Sequence, residues 1–231
     1  MISYLLLIAS VLLGTLIVSF FQPKKQMVRL LLSFSGAYLL ATTITHLLPE
    51  VYQSCSLNSD GQYIGAFILA GILLQSILES FSKGAEHGHI HLHSHSEDFP
   101  WLLFVSLSIH AFSEGIPLSY EQESNLLWAI CIHKVPIGIV LATFLLNSNL
   151  KKRNGYLFVI LFALMSPFGA LLSQKLTFFI DYHKEITAIT IGVLLHVSTI
   201  ILFESTENHK FNYSKFISIL IGRRQHCAVL I

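Results

Sequence analysis

The chain has 231 residues, of which 53% are hydrophobic and only 12% charged, with a formal net charge of +1. Soluble domains carry about 25% charged residues, so a mean hydropathy of +0.66 excludes a disordered protein, an extended nucleic-acid binder and an ordinary soluble enzyme. A near-neutral charge offers no footprint for an anionic polymer, and what remains is a polytopic membrane protein.

A hydrocarbon core of about 30 Å takes about 20 apolar residues to cross. That window predicts spans near 2–21, 28–49, 62–81, 100–119, 125–147, 155–178 and 186–205. An eighth segment, 212–231, is interrupted by Arg223 and Arg224. Two guanidinium groups at mid-helix cost several kcal/mol, so this helix is expected to be atypical and shielded by protein, or to stop at the interface. The expected fold is all-α, with about eight transmembrane helices. Lys24, Lys25, Arg29, Lys83, Lys151, Lys152, Arg153, Lys210 and Lys215 follow odd-numbered spans, whereas the alternate loops hold only Lys175 and Lys184. The positive-inside rule then places the N-terminus outside. No Lys or Arg precedes the first apolar run, and the run is longer than a signal-peptide core, so it is expected to persist as a helix.

Cys55, Cys131 and Cys227 are too scattered for a disulfide framework or a thiolate zinc site, and no nucleotide-binding glycine pattern occurs. The twelve histidines are the distinctive feature. His87, His89, His91, His93 and His95 alternate through a loop that also carries Glu86, Glu97 and Asp98. Imidazoles and carboxylates in a pliable segment suit Zn²⁺ and its borderline neighbours; a solvated polar linker is the plain alternative. A second group is intramembrane. His110 and Glu114 stand four residues apart in the fourth span, which stacks them on one helical face. His133 sits at similar depth in the fifth span, three residues before Pro136, whose missing N–H frees a carbonyl. The pattern His-x4-Gly-Ile occurs in both spans. Ionisable residues at that depth are functional candidates by default, although a lone histidine can simply bridge two helices.

Four segments resemble the ZIP (Zrt/Irt-like) family of metal transporters: THLLPEVY (45–52), AGILLQSILESFSKGAEHGH (70–89), HAFSEG (110–115) and IHKVPIG (132–138). The resemblance extends over nearly the whole chain, and the family's eight helices with both termini outside agree with the orientation read from Lys and Arg. It implies a single transmembrane metal-transport domain over 1–231, with a His-rich cytoplasmic loop at 82–99, that moves a divalent ion into the cytoplasm and is no enzyme. By the resemblance His110 and Glu114 match metal ligands, His133 matches the first polar position of the fifth-span motif, and His46 and Glu50 match an outer polar patch. Glu79 and Glu204, which end the third and seventh spans on the cytoplasmic side, are candidates for an exit route, and His196, at mid-depth in the seventh span, is a candidate fourth ligand or a hydrogen-bonding bridge between helices.

The departures are informative. Ala111 stands where the family often has Asn or Ser, while Lys134 and Ile137 replace an Asn and a Glu; Ser166 is a poor carboxylate substitute. One metal is therefore expected, not two, held by His110, Glu114 and His133 with a water or a fourth group. Uptake is expected to fall below about pH 6, as imidazoles protonate. Zn²⁺ is favoured by imidazole ligation, with Fe²⁺, Mn²⁺ and Cd²⁺ left open as the transported ion and no cofactor required. The expected partners are that ion and the lipid bilayer, with no nucleic acid; a homodimer is compatible, and the cell (inner) membrane is the expected location. Two other readings stay open: a transport-impaired metal sensor, and an intramembrane zinc hydrolase, although HExxH is absent.

Overall fold

The computed structural model describes residues 2–21, 23–53, 60–82, 101–119, 124–148 and 150–203, and every regular element among them is helical. In chain order these are α1 (Ile2–Phe21), α2 (Lys25–Thr42), α3 (Leu48–Gln53), α4 (Asp60–Ser82), α5 (Trp101–Gly115), α6 (Ser124–Leu146), α7 (Lys152–Lys175), α8 (Thr177–Asp181) and α9 (His183–Phe203). A π-helical turn, Thr43–Leu47, joins α2 to α3 without a break, and a 3-10 turn, Pro117–Ser119, follows α5. Among the described residues, seven helices are long and apolar enough to cross a membrane, the second of them running continuously over Lys25–Gln53. They correspond to the first seven predicted spans. The segment 212–231, the loop histidines His87, His89, His91, His93 and His95, and Glu204 lie outside the described residues.

The differences from prediction are at helix ends. The sixth span starts at Lys152, not near 155, because interfacial Lys and Arg continue a helix while their charged heads reach water. It stops at Lys175, where Leu176 turns to extended backbone with φ −90° and ψ 124°. The short α8 follows, which apolar composition alone does not separate from α7. The π-turn was equally invisible to a window that scores hydropathy.

Helix α6 lies at the centre: 72% of its apolar window is buried, against 28% for α1 and for α4. It packs against α1, α2 and α7, while α4 packs on α9 and α5 on α7. Large apolar side chains remain exposed on the outer helices, among them Leu5, Phe20, Leu69 and Leu102, as a lipid-facing surface requires.

Three helix pairs cross backbone to backbone through glycines that answer one another. A Cβ at Gly14 of α1 would overlap the Val135 carbonyl of α6, and one at Gly138 would press on Val11. Gly71 of α4 and Gly192 of α9 meet the Ile189 and Ile68 carbonyls in the same way, and Gly115 of α5 and Gly169 of α7 meet those of Ser166 and Phe112. In lipid no hydrophobic force draws helices together, so close van der Waals approach through small residues carries the association. Ser166 adds a hydrogen bond by donating to the Ala111 carbonyl across the α5–α7 crossing.

Gly71→Val should therefore cost at least about 3 kcal/mol, because the obstructing atom is backbone. Gly61→Ala, with no neighbour nearer than 3.9 Å, should change stability by less than about 1 kcal/mol. Thermal unfolding of both variants in the same detergent would test this; indistinguishable midpoints would refute the packing role.

Candidate metal centre

Helix α5 buries one stripe, comprising Ser106, Leu107, His110, Ala111, Glu114 and Gly115. The stripe follows from the i, i+4 spacing of the sequence; α7 and α4 cover it, and the Glu114 carboxylate reaches across to α6. Because α6 is enclosed on nearly all sides, two residues adjacent in sequence, His133 and Lys134, are both buried and both reach Glu114.

Glu114 Oε1 lies 3.1 Å from His110 Nε2 and 4.0 Å from His133 Nε2. The three ligand atoms all fall within 4.8 Å of one another, and all three residues are buried. The other carboxylate oxygen, Oε2, accepts a hydrogen bond from Lys134 Nζ at 2.8 Å. That ammonium also lies 5.7 Å from the centroid of the Phe162 ring, a cation–π distance. The two imidazoles stand edge to face with centroids 6.3 Å apart.

The far side of each ring is held by a second residue. Ser35 Oγ donates to the Leu32 carbonyl at 3.0 Å, which leaves its oxygen to accept from His133 Nδ1 at 3.3 Å. The Gln75 side-chain oxygen lies 3.3 Å from His110 Nδ1 and takes the same part. With hydrogen at Nδ1, each neutral ring directs a lone pair from Nε2 toward the Glu114 carboxylate. Outer partners fix the tautomer of metal-ligating histidines in this manner. Two acceptors 3.1 Å apart repel each other unless a cation, a proton or a metal, lies between or beside them. In a tetrahedral Zn²⁺ site with bonds near 2.1 Å, ligand atoms stand roughly 3.4 Å apart. The His110–Glu114 edge is of that size, and His133 stands somewhat outside it.

The structure thus brings together His110, Glu114 and His133, and adds Lys134 on the opposite oxygen. Ile137, where a second carboxylate would stand, is instead part of the apolar core around α6. Residues placed on the pathway by sequence lie elsewhere. Glu79 of α4 and His196 of α9 pair with each other at 2.8 Å. His46, in the π-turn, lies 3.5 Å from the Asn125 amide at the start of α6, and Glu50 is exposed on α3. Gln75 and Ser35 were missed by sequence reasoning. A lone amide within an apolar span was a usable signal for Gln75; nothing distinguishes Ser35 from the other span serines.

Seven apolar helices around an internal imidazole–carboxylate cluster define a multi-pass integral membrane protein. A family model of ZIP zinc transporters matches residues 83–224, more than half of the sequence, so the chain belongs to the ZIP zinc transporter family, whose members are transporters and not enzymes. It is similar to the zinc transporter ZIP1 of Danio rerio, 36% identical over 87 residues, and to that of Takifugu rubripes, 33% identical over 87 residues. Each alignment spans 36% of this chain and 29% of the relative.

The ion pair at the centre makes a stability prediction. Glu114→Gln strands a buried ammonium and Lys134→Met strands a buried carboxylate, so each should destabilise the protein by about 3–5 kcal/mol. The double variant should recover most of that loss. A double-mutant cycle in thermal unfolding reads the coupling directly, and additive losses would show that the two groups do not depend on each other.

Proposed function

We propose that this chain carries a divalent metal ion into the cytoplasm, with zinc favoured by the imidazole ligands, through a single mid-membrane site made of His110, Glu114 and His133. The observation that carries the reading is the convergence of two Nε2 atoms and one carboxylate oxygen within 4.8 Å, with the Nδ1 sides already engaged by Gln75 and Ser35. That is a donor set for a cation.

Lys134 supports one metal and not two. Its ammonium occupies the side of Glu114 where a second, bridged ion would bind, and neutralises the carboxylate. An arriving dication then leaves the site with a net positive charge in a low dielectric, which weakens binding. Transport requires that: a site must be favourable enough to fill and weak enough to empty.

The pathway follows helix α4. Gln75 and Glu79 stand one turn apart, so they share a face, and this face leads from His110 to the Glu79–His196 pair at the cytoplasmic end. Glu204 and the loop histidines would receive the released ion beyond it. On the outer side, His46 and Glu50 would form the mouth; π-turns recur at functional positions in helices. The cell (inner) membrane is the proposed location. A sensor reading draws on Ile137, which leaves the fifth-span motif without its carboxylate, so that the cluster would bind an ion without passing it on. Flux separates the two.

In proteoliposomes, the intact chain should take up ⁶⁵Zn, and His110→Ala or Glu114→Ala should abolish the flux. Full flux in both variants would overturn the site; zinc binding without flux in the intact chain would favour the sensor. Because imidazole binds metal only in its neutral form, flux should also fall on acidification. Removing residues 87–95 should leave flux in place and shift its dependence on metal concentration.

A further inference from the structure

At the opposite end of α6 from the start of that helix, a cavity of about 390 Å³ opens between the ends of α1 and α6 and the beginning of α7. Ser19, Pro23, Thr143, Asn147, Lys152 and Tyr156 line it. Its wall is held by a short chain of hydrogen bonds. Ser19 Oγ donates to the Thr15 carbonyl at 2.9 Å, and its oxygen lies 3.1 Å from the Tyr156 hydroxyl. Thr143 donates to the Ile139 carbonyl at 2.7 Å. With those hydroxyls engaged, the lining groups left to meet a ligand are the Lys152 ammonium and the Asn147 amide, both exposed.

The two turns that border the cavity are strongly basic. Lys24, Lys25 and Arg29 follow α1, and Lys151, Lys152 and Arg153 follow α6, while neither 18–29 nor 143–156 contains an acidic residue. By the positive-inside rule this is the cytoplasmic end. Immediately beside the lining residues are apolar side chains turned outward: Phe20 and Phe21 follow Ser19 and are 75% and 79% exposed, and Leu157 follows Tyr156 and is 53% exposed. The arrangement is a cationic, hydrogen-bonding cup with exposed apolar side chains beside it, Phe20 and Phe21 at the end of α1 and Leu157 on the membrane side of Tyr156.

We propose that this cavity seats the phosphate headgroup of an anionic glycerophospholipid of the cytoplasmic leaflet. Its size lies within the range of ligand sites, about 300–1,000 Å³, and basic pockets between helices on that side are suited to anionic headgroups. Lys152 meets the phosphate charge, Asn147 donates to an ester or glycerol oxygen, and the acyl chains leave the cup toward the membrane along Leu157, with Phe20 and Phe21 beside the headgroup. A free phosphate would use the same cationic groups but not the apolar flank. The site is separate from the metal centre and holds whether or not the chain transports.

Native mass spectrometry of the intact chain, with phosphatidylglycerol and phosphatidylcholine of identical acyl chains, tests it. The protein should retain phosphatidylglycerol over phosphatidylcholine. Lys152→Ala should reduce phosphatidylglycerol retention about fivefold, the effect of one surface cation, and Lys152→Glu should reduce it further. Lys175→Ala, at the other end of α7, should change nothing. Both Lys152 variants alter an exposed residue at a helix start, so folding is preserved. Equal retention of the two lipids, an equal loss in Lys175→Ala, or displacement of the lipid by millimolar inorganic phosphate would each overturn the proposal.

Discussion

One carboxylate enclosed between helices constrains everything around it. A charged group moved from water into a low-dielectric interior is costly unless it is matched by charge and hydrogen bonds. Glu114 is matched on one oxygen, which Lys134 holds at 2.8 Å, while the other faces the Nε2 atoms of His110 and His133 and is left for a cation. Because α5 supplies the carboxylate and α6 supplies both the ammonium and an imidazole, these helices cannot shift past each other without separating opposite charges inside the membrane. The packing of α1, α2 and α7 around α6 encloses that pair of charges.

The same cluster explains why the second layer matters. Ser35 comes from α2 and Gln75 from α4, so the orientation of two rings is set by two helices that contribute no ligand themselves. Each ring has one nitrogen assigned to protein and the other to the centre. The electrostatic character of the site is therefore a property of four helices, although the residues facing its middle come from two.

What could be read in advance follows from how far apart the interacting residues lie in the chain. His110 and Glu114 were legible as a pair because one helix turn joins them. His133 was legible from its depth in the neighbouring span, and Lys134 from its position beside it. Glu79 and His196 were each noticed as polar residues in apolar spans, but their pairing depends on α4 lying against α9, which no local spacing encodes. The Ser35 and Gln75 contacts depend in the same way on which faces the helices turn inward. The π-turn at Thr43–Leu47 and the break at Leu176 come from backbone geometry, to which hydropathy is blind.

The three glycine crossings bear on how the molecule is made. Consecutive spans run in opposite directions, yet α1 with α6, α4 with α9 and α5 with α7 pair first span with fifth, third with seventh and fourth with sixth. Each pair is therefore parallel, and none can form as a hairpin while the chain emerges from the ribosome. Helix α1 enters the bilayer first and waits for about a hundred residues of further synthesis before Val135 and Gly138 arrive opposite Gly14. Until then its small-residue face is in contact with lipid or with the insertion machinery. Assembly is completed only after synthesis reaches α9, and the intermediate stages depend on the membrane environment, not on the protein's own close contacts, to keep the early helices in place.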